Sequence, residues 1–410
     1  MQKSTLWIRM TALSALGATL AMASAYKLPE QSTRSMALSA AYVAGADSAD
    51  ASYFNPANMG WIEGNALVEA GLNYIHLPEI EFRGSVGGVP SDDNSKTEDF
   101  LIPYFHYLSS AHGAWRYGLS LVAPGGLSKR WTKPIQKMKA EEFTLKIFEL
   151  NPSVSYTFSD TFSIGGGIRV LYADGKVKGY LKNAYAENMT GDTVEFGYNL
   201  ALSYRPEPAT TLSATYRSKV DLGLEGSSKG FVAIGSPQLP YYDTDGGVSV
   251  PLPATLALAA AHTFADTTVE IVYERTFWSS YEKLDFHFDD KTVDAIFGQP
   301  IDKDWKDTNT VRIGVTHRLN EKWTVMAGYA WDETPIPEKS LAFELPDADA
   351  NIFSAGAIMQ VNKDTEAGFA ILYDHKSERD IHAPANENGI DGTFKKGGAV
   401  LANFSIGYRF

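Results

Sequence analysis

From residue 64 onward the chain runs in segments of about ten residues in which apolar and polar side chains alternate. A period of two places successive side chains on opposite faces of a strand and gives each face its own surroundings. In Glu321–Trp331, Trp323, Val325, Ala327, Tyr329 and Trp331 share one face, while Lys322, Thr324, Met326, Gly328 and Ala330 share the other. Phe162–Tyr172 does the same, with Ile164, Ile168 and Tyr172 opposing Ser163 and Arg169; so does Val194–Tyr204, with Phe196, Tyr198 and Leu200 opposing Glu195 and Asn199. The apolar faces carry aromatics at both ends. A strand crossing a bilayer meets an interface at each end and uses aromatics there, whereas a soluble sandwich has no reason to place them so.

The connections alternate in length. Short turns are expected at 108–113, 158–161, 205–210, 264–267, 319–322 and 361–364, and long polar loops at 79–99, 124–144, 173–192, 220–251, 278–307, 333–349 and 376–399. Six short and seven long connections join fourteen antiparallel strands, which predicts an all-β transmembrane barrel over residues 63–410 with one face of long loops. The last strand, Val400–Phe410, must pair with the first, because an open edge in hydrocarbon leaves backbone N–H and C=O groups unsatisfied. With the apolar faces outward, Glu69, Arg169, Arg217, Glu270, Glu274 and Arg312 face the lumen, where charges of both signs are expected to pair.

Two segments precede the barrel. Lys3 and Arg9 lead into an apolar stretch ending in Ala23-Ser24-Ala25, a small-x-small pattern that predicts an export signal over residues 1–25, cut after Ala25. Residues 26–62 do not alternate. Their Ala- and Ser-rich run suits short, closely packed helices, and Tyr42, Tyr53, Phe54 and Met59 call for burial, so the segment is expected to fill the lumen as a plug.

Composition narrows the function. The chain has 410 residues with 36 Lys and Arg against 49 Asp and Glu, net −13, and loss of Lys3 and Arg9 with the leader makes the mature chain −15. An acidic chain is a poor nucleic-acid partner. There is no cysteine, hence no disulfide frame, thiolate metal site or cysteine nucleophile. The eight His show no paired metal spacing, and no cofactor motif is present. Gly226-Ser227-Ser228-Lys229-Gly230 matches a G-x-S-x-G pattern but lies at the mouth of a long loop rather than between a strand and a helix. Residues 347–351 have calcium-like spacing, with Ile352 where a turn Gly is needed. Neither reads as catalysis or metal binding, which leaves a transporter, a general porin, or an adhesin acting through its loops.

The plug segment "DSADASYFNPANM", with Phe54, Asn55, Pro56 and Ala57, resembles the hatch of the FadL-type family of outer-membrane transporters for long-chain fatty acids and other hydrophobic compounds. Residues 212–226, 252–264, 305–315 and 331–358 add similarity in order along the chain, and the terminal Phe410 resembles the signal read by the barrel assembly machinery. The resemblance implies a monomer among the lipids and lipopolysaccharide of a Gram-negative outer membrane, with passive transport gated at the hatch and sideways release at an inward kink of the third strand. In "WRYGLSLVAPGG" Gly118 is the kink candidate, ahead of Pro124-Gly125-Gly126. It also implies a carboxylate-binding cation at Lys306, with Lys176 and Lys178 near a second basic position. Asp174 stands where the family pattern carries Arg, which opposes a carboxylate and keeps uncharged cargo such as aromatic hydrocarbons in view.

Overall fold

A computed structural model describes residues 25–233 and 238–410. The predicted leader lies, Ala25 apart, outside the described residues. The wall begins with β1 (Leu67–Leu77), β2 (Glu98–Leu108), β3 (Trp115–Lys129), β4 (Glu142–Ser159) and β5 (Phe162–Leu181). It continues with β6 (Tyr185–Glu207), β7 (Thr210–Arg217), β8 (Thr255–Phe264), β9 (Thr267–Thr276) and β10 (Thr308–Arg318). It ends with β11 (Trp323–Asp332), β12 (Ala350–Gln360), β13 (Thr365–Lys376) and β14 (Gly398–Arg409). Neighbours in this order pair antiparallel, and β14 returns to β1 from Leu67↔Arg409 to His76↔Val400. These fourteen strands form a closed ring within a 17-stranded sheet; the other three are Val220–Val232, Leu239–Leu252 and Phe286–Phe288. Closure satisfies the backbone groups that lipid cannot. No helix among the described residues is long and apolar enough to span a membrane; the strands do so.

Side chains follow the alternation. Leu72, Tyr117, Phe196, Ile271, Phe369 and Phe404 are exposed on the outside, whereas Asn73, His106, Ser120, Asn199 and Asn403 are buried inside. The barrel is thus polar within and apolar without, the arrangement lipid selects. Arg169, Arg217, Glu274 and Arg312 pair as expected, whereas Glu270 takes backbone N–H groups of the plug. Glu149 accepts from Arg169 at 2.9 Å and from Arg217, and Glu274 accepts from Lys27 at 2.7 Å and Arg312 at 3.4 Å.

Two of the expected long loops are strands instead. β5 and β6 stay paired from Phe162↔Tyr204 out to Leu181↔Tyr185. Most of 220–251 is the hairpin Val220–Val232/Leu239–Leu252, whose outer part pairs with β6 from Glu225↔Asp192 to Val232↔Tyr185. Beyond the bilayer both faces of a sheet meet water or loop, so the apolar alternation stops although the backbone ladder continues.

The segment 26–62 lies inside the ring. It carries α1 (Thr33–Ala37), α2 (Ala51–Phe54) and a 3-10 turn, Pro56–Trp61. Ser32 caps α1, its Oγ accepting from the Ser35 N–H at 3.1 Å. Arg34 holds α1 to β13 through two bonds to Glu366, 2.9 and 3.0 Å. Glu270 of β9 accepts from the backbone N–H groups of Val43, Ala44 and Gly45 at 2.7, 2.7 and 2.9 Å. Close approach depends on glycine in the wall: a Cβ on Gly165 would stand 2.5 Å from the Ala57 nitrogen.

Candidate transport site

Three features converge above and beside the hatch: an apolar cavity between the outer strand ends and the long loops, a strap formed by residues 26–31, and a break in the wall between β2 and β3.

The cavity is lined by Leu127, Leu145, Leu224, Val250, Trp305 and Tyr26, with a few polar groups among them. Tyr26 packs edge-on to Trp278 at 4.8 Å and lies 5.9 Å from Trp305, while Trp278 and Trp305 are 5.1 Å apart. Aromatic rings bring large apolar area with little rotamer freedom, which suits a preformed site for oily ligands. Two cations line the cavity. Lys303 lies 2.8 Å from Glu344, and Lys176 lies 3.1 Å from Glu142. Burial pushes the Glu344 carboxyl up, but the Lys303 ammonium more than offsets this and holds it below the usual carboxylate range.

Of the cations expected from sequence, Lys176 lines this cavity. Lys178 shares Glu142 at 3.6 Å without lining it. Lys306 is exposed and outside the cavity lining, its backbone N–H donating to the Pro335 carbonyl at 3.0 Å. In the run 303–306, Lys303 and Trp305 are buried while Asp304 and Lys306 are exposed. The inward lysine is therefore Lys303, which the sequence reading missed. Its spacing of two from Trp305 was the available signal. Asp174 faces Lys146, 4.0 Å away across the β4–β5 pair, and is outside the cavity lining.

The wall breaks at β3. Pairing of β2 with β3 runs only from Phe105↔Leu121 to Leu108↔Gly118, although β2 stays paired to β1 as far as Leu77↔Glu98. Between Val122↔Glu149 and Gly125↔Ile147, β3 holds two residues, Ala123 and Pro124, against one on β4, which is a β-bulge. Gly118, the kink candidate, instead sits in regular register with Leu108 and Ser153. Its lack of a side chain serves the hatch, since a Cβ there would lie 2.5 Å from the Ser52 Cβ and 2.8 Å from the Met59 sulfur. The irregularity belongs to Ala123-Pro124-Gly125, where a proline without an N–H and an extra residue bend the strand.

The strap takes up the edge that β2 leaves. The Leu28 N–H donates to the Pro124 carbonyl at 2.9 Å, and the Gly126 N–H donates to the Tyr26 carbonyl at 2.8 Å. Gln31 brackets Ala123, donating to its carbonyl at 2.8 Å and accepting from its N–H at 2.9 Å. A second, mixed cavity borders the strap; Leu28, Phe54, Pro124, Arg217 and Val272 are among its walls.

The hatch motif sits beneath. Asn55 is fully buried, with its Nδ2 within 2.9 Å of the Val43 carbonyl, 3.0 Å of Ser203 Oγ and 3.1 Å of Ser213 Oγ. Its Oδ1 accepts from the Ala57 N–H at 3.2 Å, so it also caps the 3-10 turn that Pro56 opens. The Ala57 carbonyl accepts from Ser163 Oγ at 2.7 Å. Phe54 stands between Tyr42 and Tyr53, with ring centroids at 5.6 and 5.1 Å.

Ser228 lies within the strand Val220–Val232 with the Tyr242 hydroxyl 3.4 Å away, not on a strand–turn–helix elbow. Asp347 is engaged by Thr334 at 2.6 Å and by Lys376.

A closed, hatch-filled barrel with an apolar outer belt and loops of unequal length defines an outer-membrane transport barrel of a Gram-negative bacterium. Residues 14–410 match the outer membrane protein transport protein family (OMPP1/FadL/TodX), and the chain belongs to it. The long-chain fatty acid transport protein of Escherichia coli K12 is 23% identical over 353 residues, covering 75% of this chain and 77% of that protein. Outer membrane protein P1 of Haemophilus influenzae is 24% identical over 412 residues, covering 87% of each. Among solved structures, a Pseudomonas aeruginosa FadL homologue matches with a TM-score of 0.81 at 19% identity, covering 94% of this chain and all of that one. The Pseudomonas putida toluene transporter TodX matches with a TM-score of 0.71 at 17% identity, covering 91% and 98%.

Proposed function

We propose that this chain is a passive channel for hydrophobic compounds, with long-chain fatty acids as its main cargo. The ligand enters the apolar cavity among the loops, displaces the strap and leaves sideways between β2 and β3 into the bilayer. The observation that carries this reading is the break in the wall beside an apolar cavity, above a lumen that the hatch fills. Each CH₂ removed from water gains about 0.8 kcal/mol, so an acyl chain favours a route through greasy surfaces and lipid over a watery pore. No catalytic step and no cofactor belong to this function. The hatch residues Phe54, Asn55, Pro56 and Ala57 act by anchoring the plug to the wall through Ser163, Ser203 and Ser213. The protein works as a monomer in lipopolysaccharide-bearing membrane, placed there by the barrel assembly machinery.

A second reading, uncharged cargo such as aromatic hydrocarbons, draws on the internal pairing of Lys303 with Glu344. Expression in a strain lacking its own fatty-acid transporter tests both. Uptake of labelled oleate is expected under the first reading, uptake of toluene alone under the second, and uptake of neither would contradict the transport role.

A further inference from the structure

Among the described residues, the cavity presents no unpaired side-chain cation to an anionic ligand. Lys303 is held by Glu344 and Lys176 by Glu142. Burying a carboxylate without a partner is strongly unfavourable. If the cargo is a fatty acid, as the proposed function has it and as this inference assumes, its head group needs another partner.

The main chain has one to offer. Tyr26 lines the cavity, and its position is fixed from two sides. Its ring is packed on Trp278 with its hydroxyl donating to the Pro251 carbonyl, and its own carbonyl takes the Gly126 N–H. The sequence puts the export-signal cut at the bond between Ala25 and Tyr26. We propose that this cut makes the Tyr26 nitrogen a free α-ammonium held in the cavity wall, and that this ammonium is the counter-ion for the carboxylate of an amphiphilic ligand whose tail lies along Leu127, Leu145, Leu224 and Val250. The step is hydrolysis by signal peptidase: water breaks the peptide bond, its hydroxyl goes to the Ala25 carbonyl carbon, its proton goes to the Tyr26 nitrogen, and that amine takes a second proton from the new carboxylic acid to become the ammonium. The amine is about 1.46 Å from Cα, so the contacts that fix the Tyr26 carbonyl and ring also fix the amine's position. With an ordinary pKa of about 8, an α-amine is mostly protonated at neutral pH. Asp221, which also acts electrostatically on Tyr26, is exposed and lies 2.9 Å from Lys219. Processing would thus shift a balanced cavity by one positive charge and make the exported form, not the precursor, competent for anionic cargo.

The test uses the mature protein purified from outer membranes, with mass spectrometry locating its first residue. Binding of dodecanoate and of dodecanol is measured before and after transamination of the α-amine to a ketone, and in a variant with one glycine inserted between Ala25 and Tyr26. The expected result is an N-terminus at Tyr26, about tenfold weaker dodecanoate binding in both altered forms, and dodecanol binding unchanged, in line with loss of one charge-assisted contact. Equal dodecanoate binding in all forms, equal loss for both ligands, or an N-terminus elsewhere would overturn the proposal. Failure of both ligands to bind the unaltered protein would overturn the transport reading itself.

Discussion

Lys303 and Glu344 meet at 2.8 Å on the wall of the apolar cavity, so the cation best placed for a ligand already has a carboxylate. Glu344→Gln keeps the shape and frees the ammonium. Dodecanoate should then bind about tenfold more tightly while dodecanol is unaffected, as a charge-assisted bond becomes available. Calorimetric titration of both ligands checks this; unchanged dodecanoate affinity would remove the pair from specificity.

The same pair sets a pH response. Glu344 is held below its ordinary value of about 4.3, so its contribution to loop packing is complete above that pH and disappears as the pH falls through the lower folded value. Acrylamide quenching of tryptophan fluorescence should rise in the wild type on acidification through the lowered folded value, as the Glu344 carboxyl takes up its proton. In Glu344→Gln this acid step should be missing. A step of equal size in both proteins would assign it to other carboxylates.

Asn55 ties the hatch to β6 and β7 through Ser203 and Ser213 and caps the turn carrying Pro56 and Ala57. Asn55→Ala leaves buried partners unmet, at a cost of about 1–3 kcal/mol within the hatch. Deletion of Asn55–Ala57 should abolish uptake and leave a barrel that still shifts on heating in gel electrophoresis. Normal uptake by the deletion would separate this motif from gating.

A Cβ on Gly125 would lie 2.6 Å from the Tyr26 carbonyl, so Gly125→Ala should push the strap off β3. Hydrogen exchange at the Leu28 and Gly126 amides should speed up, while β10 and β11 amides keep wild-type rates. Unchanged exchange at Leu28 would show that the strap accommodates the methyl group.

The wall was legible because lipid imposes a strict two-residue period: Phe404 and Ile406 face out and Asn403 and Ser405 face in, as the letters indicate. The hairpin at 220–252 was not, since outside the bilayer no single medium contrasts its faces. The break at Ala123-Pro124 looked like the start of a loop, because a bulge is a matter of register with β4 and a sequence carries no partner. Gly118 looked like a bend and proved to be a contact with the hatch. In the loop near 303–306 the residue types are readable in the sequence but their direction is not: Lys303 is buried and Lys306 exposed.

Sideways passage through the wall at β3 is tested most directly by deletion of Ala123. That deletion removes the extra residue between Val122 and Gly125 and lets β3 match β4 one to one. Uptake of labelled oleate by cells lacking their own transporter should fall to the level of the empty strain, with the barrel still assembled and heat-modifiable. Oleate uptake equal to that of the wild type, from a barrel with its register restored, would contradict the account.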